Sequence, residues 1–547
     1  MRPPVRLATI LLLLLAGGVL AALTLVLFAA DPRYSIYTLV GDDAGYYLAI
    51  ARNFCLGHGL SFDRLHETNG FNPLLTVLLI AADRVLVHDL SLVGCYRAGI
   101  LVTWLANVGS LAVLVRLLSR FLDPEVLSGE LRRLAIAAAV AFFAGFVALK
   151  SNYGMDAPLV LLLGLLYLER VQRRGLLAPG IRAGALDGAL LALLFLARVD
   201  TLPFLVAAFA LMALRAPRER APLAPLIVRA ATCAVLVAPY LIWSERRFGT
   251  WLPVSARLKS SFPALDPATS LRTVLHSSLN PADLAFFALA FGIAVVAGLR
   301  MLRAWRARPV AEALGDGPTV VVTLLTFYLL MRFAYMALFS RMDVQGSYVI
   351  LAHVYNLLMA LSLAGVLARR SGGASARAGG RVVALVCAAI ALTSAVLIAG
   401  KARSLAATWR VVTPGGAGDE LALARAIHDR TGEGDVIYGG AFGLIGFFAD
   451  RPWINGDGVA NTYAYQRVLE TGGLPGYLAA NRVTHIVFER AGRPAPGLAP
   501  RTLAVRSVVN GHVNPYAVDA GEPLVAQWSA RGHGITVCLA RYRPVEP

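Results

Sequence analysis

The chain has 547 residues, of which 57% are hydrophobic and only 15% are charged, and its mean hydropathy is +0.65. These values exclude a soluble globular protein, because apolar runs of roughly 15–25 residues recur and are long enough to span a bilayer. A formal net charge of +18 would fit a nucleic-acid-binding protein, but the arginines lie in short loops between the apolar runs. That placement follows the positive-inside rule of membrane proteins, so we exclude nucleic acid as a partner.

The first apolar run, Leu7–Ala30, follows a basic N-terminus and is too long for the core of a cleaved signal peptide. We therefore predict an uncleaved span with its N-terminus in the cytoplasm. Segment 31–72 then lies outside the cytoplasm, and the apolar spacing predicts a surface helix over Asp42–Leu56. The run Pro73–Val87 is short for a span and carries two charged residues, so we predict a second surface or re-entrant helix on the outer face.

The later apolar runs alternate with arginine-rich loops, and this alternation predicts the direction of each crossing. With the first run they make about eleven transmembrane helices, with the C-terminal tail outside. The ten further predicted spans are Gly94–Leu118, Leu134–Leu149, Ala157–Leu168, Ile181–Ala197, Thr201–Leu214, Leu223–Trp243, Ala282–Leu302, Pro318–Phe339, Ser347–Leu367 and Val382–Ala399.

The composition changes near Lys401, where polar residues and short alternating patterns replace the apolar runs. The predicted fold class is a polytopic α-helical membrane domain, residues 1–400, followed by a small α/β soluble domain, residues 401–547. Glycine and asparagine recur in Gly439–Asn461 and predict loops there. The other predicted elements of this domain are strands at Asp435–Tyr438, Thr484–Glu489 and Ile535–Ala540 and helices at Glu420–Arg430 and Tyr465–Ala480.

With this orientation, charged residues collect at the outer ends of the spans, namely Asp42, Asp43, Asp156, Asp200, Lys259 and Arg341. Placing charged side chains near lipid costs free energy, so their presence there indicates a functional role. Simpler roles stay open for each of them. Asp42, Asp43 and Asp156 could serve simply as helix caps. Arg198 and Asp200 could form a structural ion pair, and the basic residues Lys259 and Arg341 could anchor lipid headgroups.

The chemistry available to such a set is general acid–base catalysis beside a bound anion. A carboxylate held near the membrane surface can deprotonate a hydroxyl group. Basic residues can hold a phosphate and stabilise it as it leaves. A one-step displacement assisted by such a base would invert the carbon that is attacked.

Several short motifs occur in an order that resembles the GT-C superfamily of integral-membrane glycosyltransferases, over about 400 residues of the chain. The resemblance is to the branch that includes aminoarabinose and galacturonic acid transferases and protein mannosyltransferases. It implies a GT-C-like fold, a polyprenyl-phosphate-linked sugar donor, and an extracytoplasmic lipid, polysaccharide or protein acceptor. The motifs are Asp42–Tyr47, Ala51–Asn53, Gly57–Gly59, Thr68–Leu74, Gly154–Asp156, Arg198–Asp200 and Pro253–Lys259.

The resemblance also assigns roles. It implies that Asp42 is the first-loop acid and the general base, that Asp43 can replace it, and that Asp156 is the second-loop acid that positions acceptor or metal. Relatives often carry histidine where this chain has Asn72, and some use a divalent metal such as Mg²⁺ or Mn²⁺; no metal ligands are assigned here. The substrate-binding candidates are Tyr46, Tyr47, Arg52, Asn69, Arg198, Asp200, Arg257, Lys259 and Arg341.

Two other classes of function stay open. A flippase or transporter of lipid-linked sugars predicts polar residues near the middle of the spans, and few are present. A non-catalytic assembly or receptor protein would bind through its tail. In the transferase interpretation, Asp457, Asn461 and Tyr463 of the tail could help to bind the acceptor above the membrane, or they could be turn-forming residues. The expected location is the cytoplasmic membrane of a bacterium, in contact with membrane lipids.

Overall fold

The computed structural model describes residues 3–29, 31–122, 129–217, 219–275, 281–307, 317–342, 350–370, 376–411, 419–440, 442–491, 501–519, 522–528 and 534–543. The chain forms a polytopic α-helical membrane domain and a C-terminal domain with one mixed sheet. Its membrane-domain helices are α1 Pro3–Phe28, α2 Arg33–Thr38, α3 Ala44–Cys55, α4 Pro73–Leu86, α5 Leu92–Phe121, α6 Gly129–Phe142, α7 Ala157–Arg174, α8 Ile181–Ala197, α9 Leu202–Arg215, α10 Leu223–Phe248, α11 Val254–Lys259, α12 Pro267–Leu275, α13 Pro281–Ala307, α14 Pro318–Phe339, α15 Ile350–Arg370 and α16 Ala376–Val411.

Each of the eleven predicted spans corresponds to a helix, although many helices extend beyond the predicted ends. Within the described ranges, 7 helices are long and apolar enough to cross a membrane by length and composition. In that group α6 is counted together with the π-helical and 3₁₀ turns that continue it to Lys150. The helices α7, α8, α9 and α15 fall outside the group, so the count of eleven crossings stays a prediction. The boundary predicted at residue 400 falls inside α16, which continues to Val411.

Close backbone contact joins α8 to α10. Gly184 and Gly188 lie one turn apart on α8, and an added Cβ would stand 2.4 Å from the Pro225 carbonyl oxygen and 2.3 Å from that of Arg229. Small residues at this spacing let membrane helices approach until their backbones touch. Beside this seam, Asp187 accepts a hydrogen bond from the fully buried Arg229 at 2.5 Å, which balances two charges between the helices.

The two short helices predicted on one face are present as α3 and α4. α3 spans 12 residues and buries most of its length, including Tyr46 and Ile50. α4 spans 14 residues and begins with Pro73, whose fixed φ suits the first turn of a helix. Neither is among the helices long enough to cross a membrane.

The C-terminal domain has helices on a mixed sheet. Strands β1 Val436–Gly439, β2 Trp453–Asn455 and β3 Val483–Ala491 run parallel, in the order β2-β1-β3. β7 Gly534–Arg543 pairs antiparallel with β3 and also contacts β5 Val513–Val518 and β6 Glu522–Trp528. β4 Arg501–Arg506 completes the sheet beside β5. The helices are α17 Glu420–Arg430, α18 Gly443–Ala449, α19 Tyr463–Thr471 and α20 Leu474–Ala480.

Two sequence expectations for this domain are wrong. Gly439–Asn461 is not all loop, because α18 and β2 lie within it. The sequence GLIGFFA of α18 is too short to show a helical period but is buried at every position against the membrane domain. The single helix expected over Tyr465–Ala480 is two helices, because Gly472 adopts φ +82° and ends α19.

Candidate functional site

A cavity of about 140 Å³ lies where the first loop meets the starts of α7 and α11 and the end of α14. Two short backbone bridges hold these segments together, Val40 to Tyr153 and Ser260 to Ser340. Gly154 adopts φ +81°, and an added Cβ would stand 2.8 Å from the Ala44 side chain, so glycine allows the second loop to reach the first. The charged residues that line the cavity are Asp43, Asp156, Arg198, Asp200, Lys259 and Arg332.

Asp43 presents its carboxylate to this cavity. It occupies the position before the first residue of α3, but its side chain makes no capping hydrogen bond there. Within the described part of the chain, its carboxylate has no hydrogen bond or ion pair. The capping role considered from the sequence therefore does not account for this side chain, and the carboxylate is available to a ligand.

Asp42 points away from the cavity, towards the C-terminal domain. Its Oδ2 accepts a hydrogen bond from the backbone N–H of Gly443 at 2.9 Å, and its Oδ1 accepts one from Leu444 at 3.0 Å. Burial raises the pKa of Asp42 to about 7, although these two N–H donors oppose the rise. Asp42 thus caps α18 of the other domain rather than the helix that follows it.

Asp156 is the most enclosed carboxylate of the cavity, with 4% of the residue exposed. It accepts hydrogen bonds from Tyr47 Oη at 3.1 Å, from Arg198 Nη1 at 3.4 Å and from the Asn72 amide. Burial raises the pKa of Asp156, and the Arg198 charge counteracts that rise. Its side chain does not cap α7, so Asp156 organises the wall formed by Tyr47, Asn72 and Arg198.

Asp200 lies between two guanidinium groups. Arg198 Nε stands 3.0 Å from its Oδ1, and Arg332 Nη2 stands 2.5 Å from its Oδ2. Burial acts to raise the pKa of Asp200, but the two guanidinium groups hold it below its usual range. The ion pair anticipated between Arg198 and Asp200 is present, and it forms part of the cavity wall.

The C-terminal domain contacts the cavity wall through hydrogen bonds to Tyr46. The Tyr46 hydroxyl donates to Asp457 Oδ2 at 3.3 Å and accepts from Asn455 Nδ2 at 3.0 Å. Burial raises the pKa of both Tyr46 and Asp457. Val459 of the same loop lines the cavity, so the two domains enclose it together.

Lys259 is the last residue of α11 and lines the cavity. Its backbone carbonyl accepts a hydrogen bond from the Arg341 N–H at 3.0 Å. The next residue, Ser260, accepts a hydrogen bond from Tyr335 Oη at 2.7 Å. These contacts fix the end of α11 against the end of α14.

Four sequence candidates for substrate binding do not line the cavity. Arg52 pairs with Asp450 of the C-terminal domain at 2.8 Å, and Arg257 pairs with Glu470 at 3.0 Å. Asn69 is fully buried and serves the backbone, since its amide donates to the Leu252 carbonyl and accepts from the Val254 N–H. The fourth, Arg341, joins α11 and α14 through its backbone.

Sequence reasoning missed Arg332, Tyr335 and Ser260, which all line the cavity. A signal for Arg332 existed, because it is the single charged residue of the apolar run Pro318–Phe339. A charge inside an apolar run is a functional candidate by default. The two hydroxyl residues carried no such signal, because their approach depends on tertiary structure.

The carboxylates of the cavity fit a divalent cation poorly. Asp156 and Asp200 both engage arginines, and only Asp43 offers oxygens without such a partner among the described residues. Across the described ranges, no group of three histidine, cysteine, aspartate or glutamate side chains could hold a metal ion.

No family model and no curated protein sequence matches the chain. Among solved structures, the chain is similar to the oligosaccharyltransferase of Archaeoglobus fulgidus, with a TM-score of 0.48 and 13% identity over 88% of this chain and 69% of that one. The structure of the archaeal oligosaccharyltransferase AglB from the same organism, in complex with an inhibitory peptide and a dolichol-phosphate, has a TM-score of 0.47 and 12% identity over 88% of this chain and 69% of that one. ArnT from Cupriavidus metallidurans, bound to undecaprenyl phosphate, has a TM-score of 0.42 and 12% identity over 95% of this chain and 97% of that one.

Proposed function

We propose that the chain is a glycosyltransferase that moves a sugar from a polyprenyl-phosphate-linked donor to an extracytoplasmic acceptor. The observation that carries the proposal is the cavity whose lining combines Asp43 with Lys259, Arg198 and Arg332. A base and a set of cations are the two elements that transfer from a phosphate leaving group requires.

Asp43 is the proposed general base. Its carboxylate faces the cavity, whereas both oxygens of Asp42 accept backbone hydrogen bonds from α18. Asp43 takes the proton of an acceptor hydroxyl as the hydroxyl oxygen forms a bond to the anomeric carbon of the donor. The bond from that carbon to the phosphate oxygen breaks, and the lipid phosphate leaves with the bonding electrons. This single displacement inverts the anomeric configuration.

The cations stabilise the leaving phosphate. Lys259 faces the cavity and is the proposed contact for the phosphate that develops charge. Arg198 and Arg332 are held in place by Asp200, which fixes their N–H groups before the substrate arrives. A preformed cluster of this kind needs little rearrangement during the reaction, which is how electrostatic catalysis gains its effect.

The membrane placement of the site is part of the proposal. The cavity lies between the first loop and the C-terminal domain, which the arginine distribution predicts on the outer face of a bacterial cytoplasmic membrane. A polyprenyl tail would run between the helices while the sugar enters the cavity. Arg52, Asn69, Arg257 and Arg341 then support the walls instead of binding substrate.

The test is sugar transfer by the purified chain from a panel of polyprenyl-phosphate sugars, with Asp43→Asn and Asp42→Asn as a matched pair. We expect Asp43→Asn to lower kcat by about 10²–10⁴-fold, the range for loss of a general base. We expect Asp42→Asn to retain most of the activity, because its amide oxygen can still accept one hydrogen bond from α18.

The product's anomeric configuration, read by NMR, should be inverted relative to the donor. If Asp42→Asn loses activity while Asp43→Asn keeps it, the base is Asp42, as the family resemblance implies. If no donor reacts and none binds, the transferase proposal fails. Uptake of an intact lipid-linked sugar across vesicles by a chain without transfer activity would favour the flippase alternative.

A further inference from the structure

A second, larger cavity of about 660 Å³ lies between α2, residues 146–152 that follow α6, the start of α15 and the end of α16. It shares no lining residue with the cavity of the proposed active site. Its walls combine two lysines and a histidine with apolar side chains. Nothing in the proposed reaction uses these residues.

The lysines are Lys150 and Lys401, which come from different helical segments and meet at this cavity. The Lys150 ammonium lies 4.4 Å from the centre of the Phe146 ring, and Lys401 Nζ donates to the Thr38 carbonyl at 2.9 Å. No acidic residue is among the described residues that line the cavity. Two ammonium groups that line one cavity are complementary to an anionic group.

His353 supplies an independent indication of a ligand. Only 4% of the residue is exposed, and its Nδ1 has no hydrogen-bond partner within the described structure. The ring is fixed edge-on against Phe146, with 4.2 Å between ring centres, and lines the same cavity. A buried polar nitrogen without a partner is costly, so a ligand oxygen at this position would satisfy it.

The remaining walls are suited to a hydrocarbon chain. Leu39, Leu149, Ile350, Val396 and Leu397 line the cavity beside the charged groups. A free anion would leave this apolar surface without a partner, whereas a lipid would cover it. The mixture of two ammonium groups, one imidazole and aliphatic walls is complementary to an anionic headgroup followed by an apolar tail.

We propose that this cavity is a second lipid site, which binds a lipid with a phosphate-monoester headgroup. Lys150 and Lys401 contact the phosphate oxygens, His353 makes a hydrogen bond to the headgroup, and the aliphatic walls hold the start of the chain. The site does not depend on the proposed transferase activity, because it shares no residue with that cavity.

The test counts bound lipid by native mass spectrometry of the full chain, titrated with dioleoyl phosphatidic acid. The first variant is the double substitution Lys150→Gln with Lys401→Gln, and its matched control is the double substitution to arginine. The second variant is Gly400→Leu, which fills the cavity without changing its charge. Gly400 lines the cavity and an added Cβ there meets open space, so Gly400→Ala is the control for that substitution.

We expect the glutamine pair to weaken one phosphatidic acid site at least tenfold and the arginine pair to keep it. Gly400→Leu should weaken the same site while Gly400→Ala retains it, and this comparison decides the question if the glutamine pair does not fold. Lys259→Gln, in the other cavity, should leave this site intact, which separates it from any donor site.

Competition distinguishes the sources of the phosphate group. Undecaprenyl phosphate should displace phosphatidic acid from this site, whereas phosphatidylcholine should not. Equal binding by phosphatidylcholine, or full displacement by an equal concentration of sodium phosphate, would overturn the lipid-phosphate assignment. So would unchanged binding in both the glutamine pair and Gly400→Leu.

Discussion

The Asp42 carboxylate accepts a hydrogen bond from the backbone N–H of Gly443 at 2.9 Å, across 401 positions of sequence. This contact places the start of α18 directly on the loop that carries Asp43. The C-terminal domain is therefore part of the site's architecture, because the residue beside the proposed base is fixed by that domain.

Replacing Asp42 with alanine removes the acceptor for two backbone N–H groups, those of Gly443 and Leu444. Leaving buried donors unpaired costs about 1–3 kcal/mol. We therefore expect Asp42→Ala to lower the melting temperature in detergent and to increase the rate of proteolysis of the folded chain. Asp89→Ala, at an exposed carboxylate, is the control, and an unchanged melting temperature for Asp42→Ala would contradict the capping role.

The stability of the chain should depend on pH through Asp42. Burial raises its pKa from 3.8 to about 7, so between these values the folded chain holds a proton that the unfolded chain releases. The contribution of this carboxyl to the free energy of unfolding is therefore largest below pH 4 and decreases as the pH rises to 7. Melting temperatures measured from pH 4.5 to 8 should decrease less with rising pH for Asp42→Asn than for the wild type. The same dependence of melting temperature on pH in both proteins would contradict the prediction.

Gly45 should be required for docking of the C-terminal domain. A Cβ added at Gly45 would stand 2.0 Å from the Gly443 carbonyl carbon, so alanine cannot fit unless α18 moves away from α3. We expect Gly45→Ala to lower sugar transfer and to expose the interface to proteolysis, with a stability loss of about 1–3 kcal/mol. Gly17→Ala, where an added Cβ meets nothing within 4 Å, is the matched control. Normal activity and protease resistance in Gly45→Ala would show that the domains are not packed so closely.

Arg198 should be required both for stability and for the site. It pairs with Asp156 at 3.4 Å and with Asp200 at 3.0 Å, so Arg198→Gln leaves two carboxylates without this counter-charge. Removing one partner of a buried ion pair lowers the free energy of unfolding by about 3–5 kcal/mol. Because Asp200 is partly exposed, we expect the loss to lie at or below the lower end of that range. We expect a lower melting temperature and at least tenfold weaker donor binding, measured by calorimetry. Arg257→Gln, at the partly exposed pair with Glu470, should change both quantities little.

Several features of the fold were predictable because they depend on local pattern. The span Ile181–Ala197 and the helix Glu420–Arg430 agree with the predicted bounds, since apolar periodicity and flanking polar residues define them. α18 was not predictable, because seven apolar residues show no period and their burial depends on α3. The strands β4 and β5 were missed for a related reason, as their pairing joins segments that the sequence alone does not align.

Composition and charge pattern by themselves determined that this is a multi-pass membrane protein with a C-terminal α/β domain, because apolar length and arginine placement act locally. They also placed Asp43, Asp156, Asp200 and Lys259 at span ends, although Asp42 and Arg341, placed there by the same argument, do not line the cavity. Only the tertiary structure decided which of two adjacent carboxylates faces that cavity. Asp42 and Asp43 differ by one position, and their separation depends on the backbone N–H groups of a helix 400 residues away, which no local pattern records.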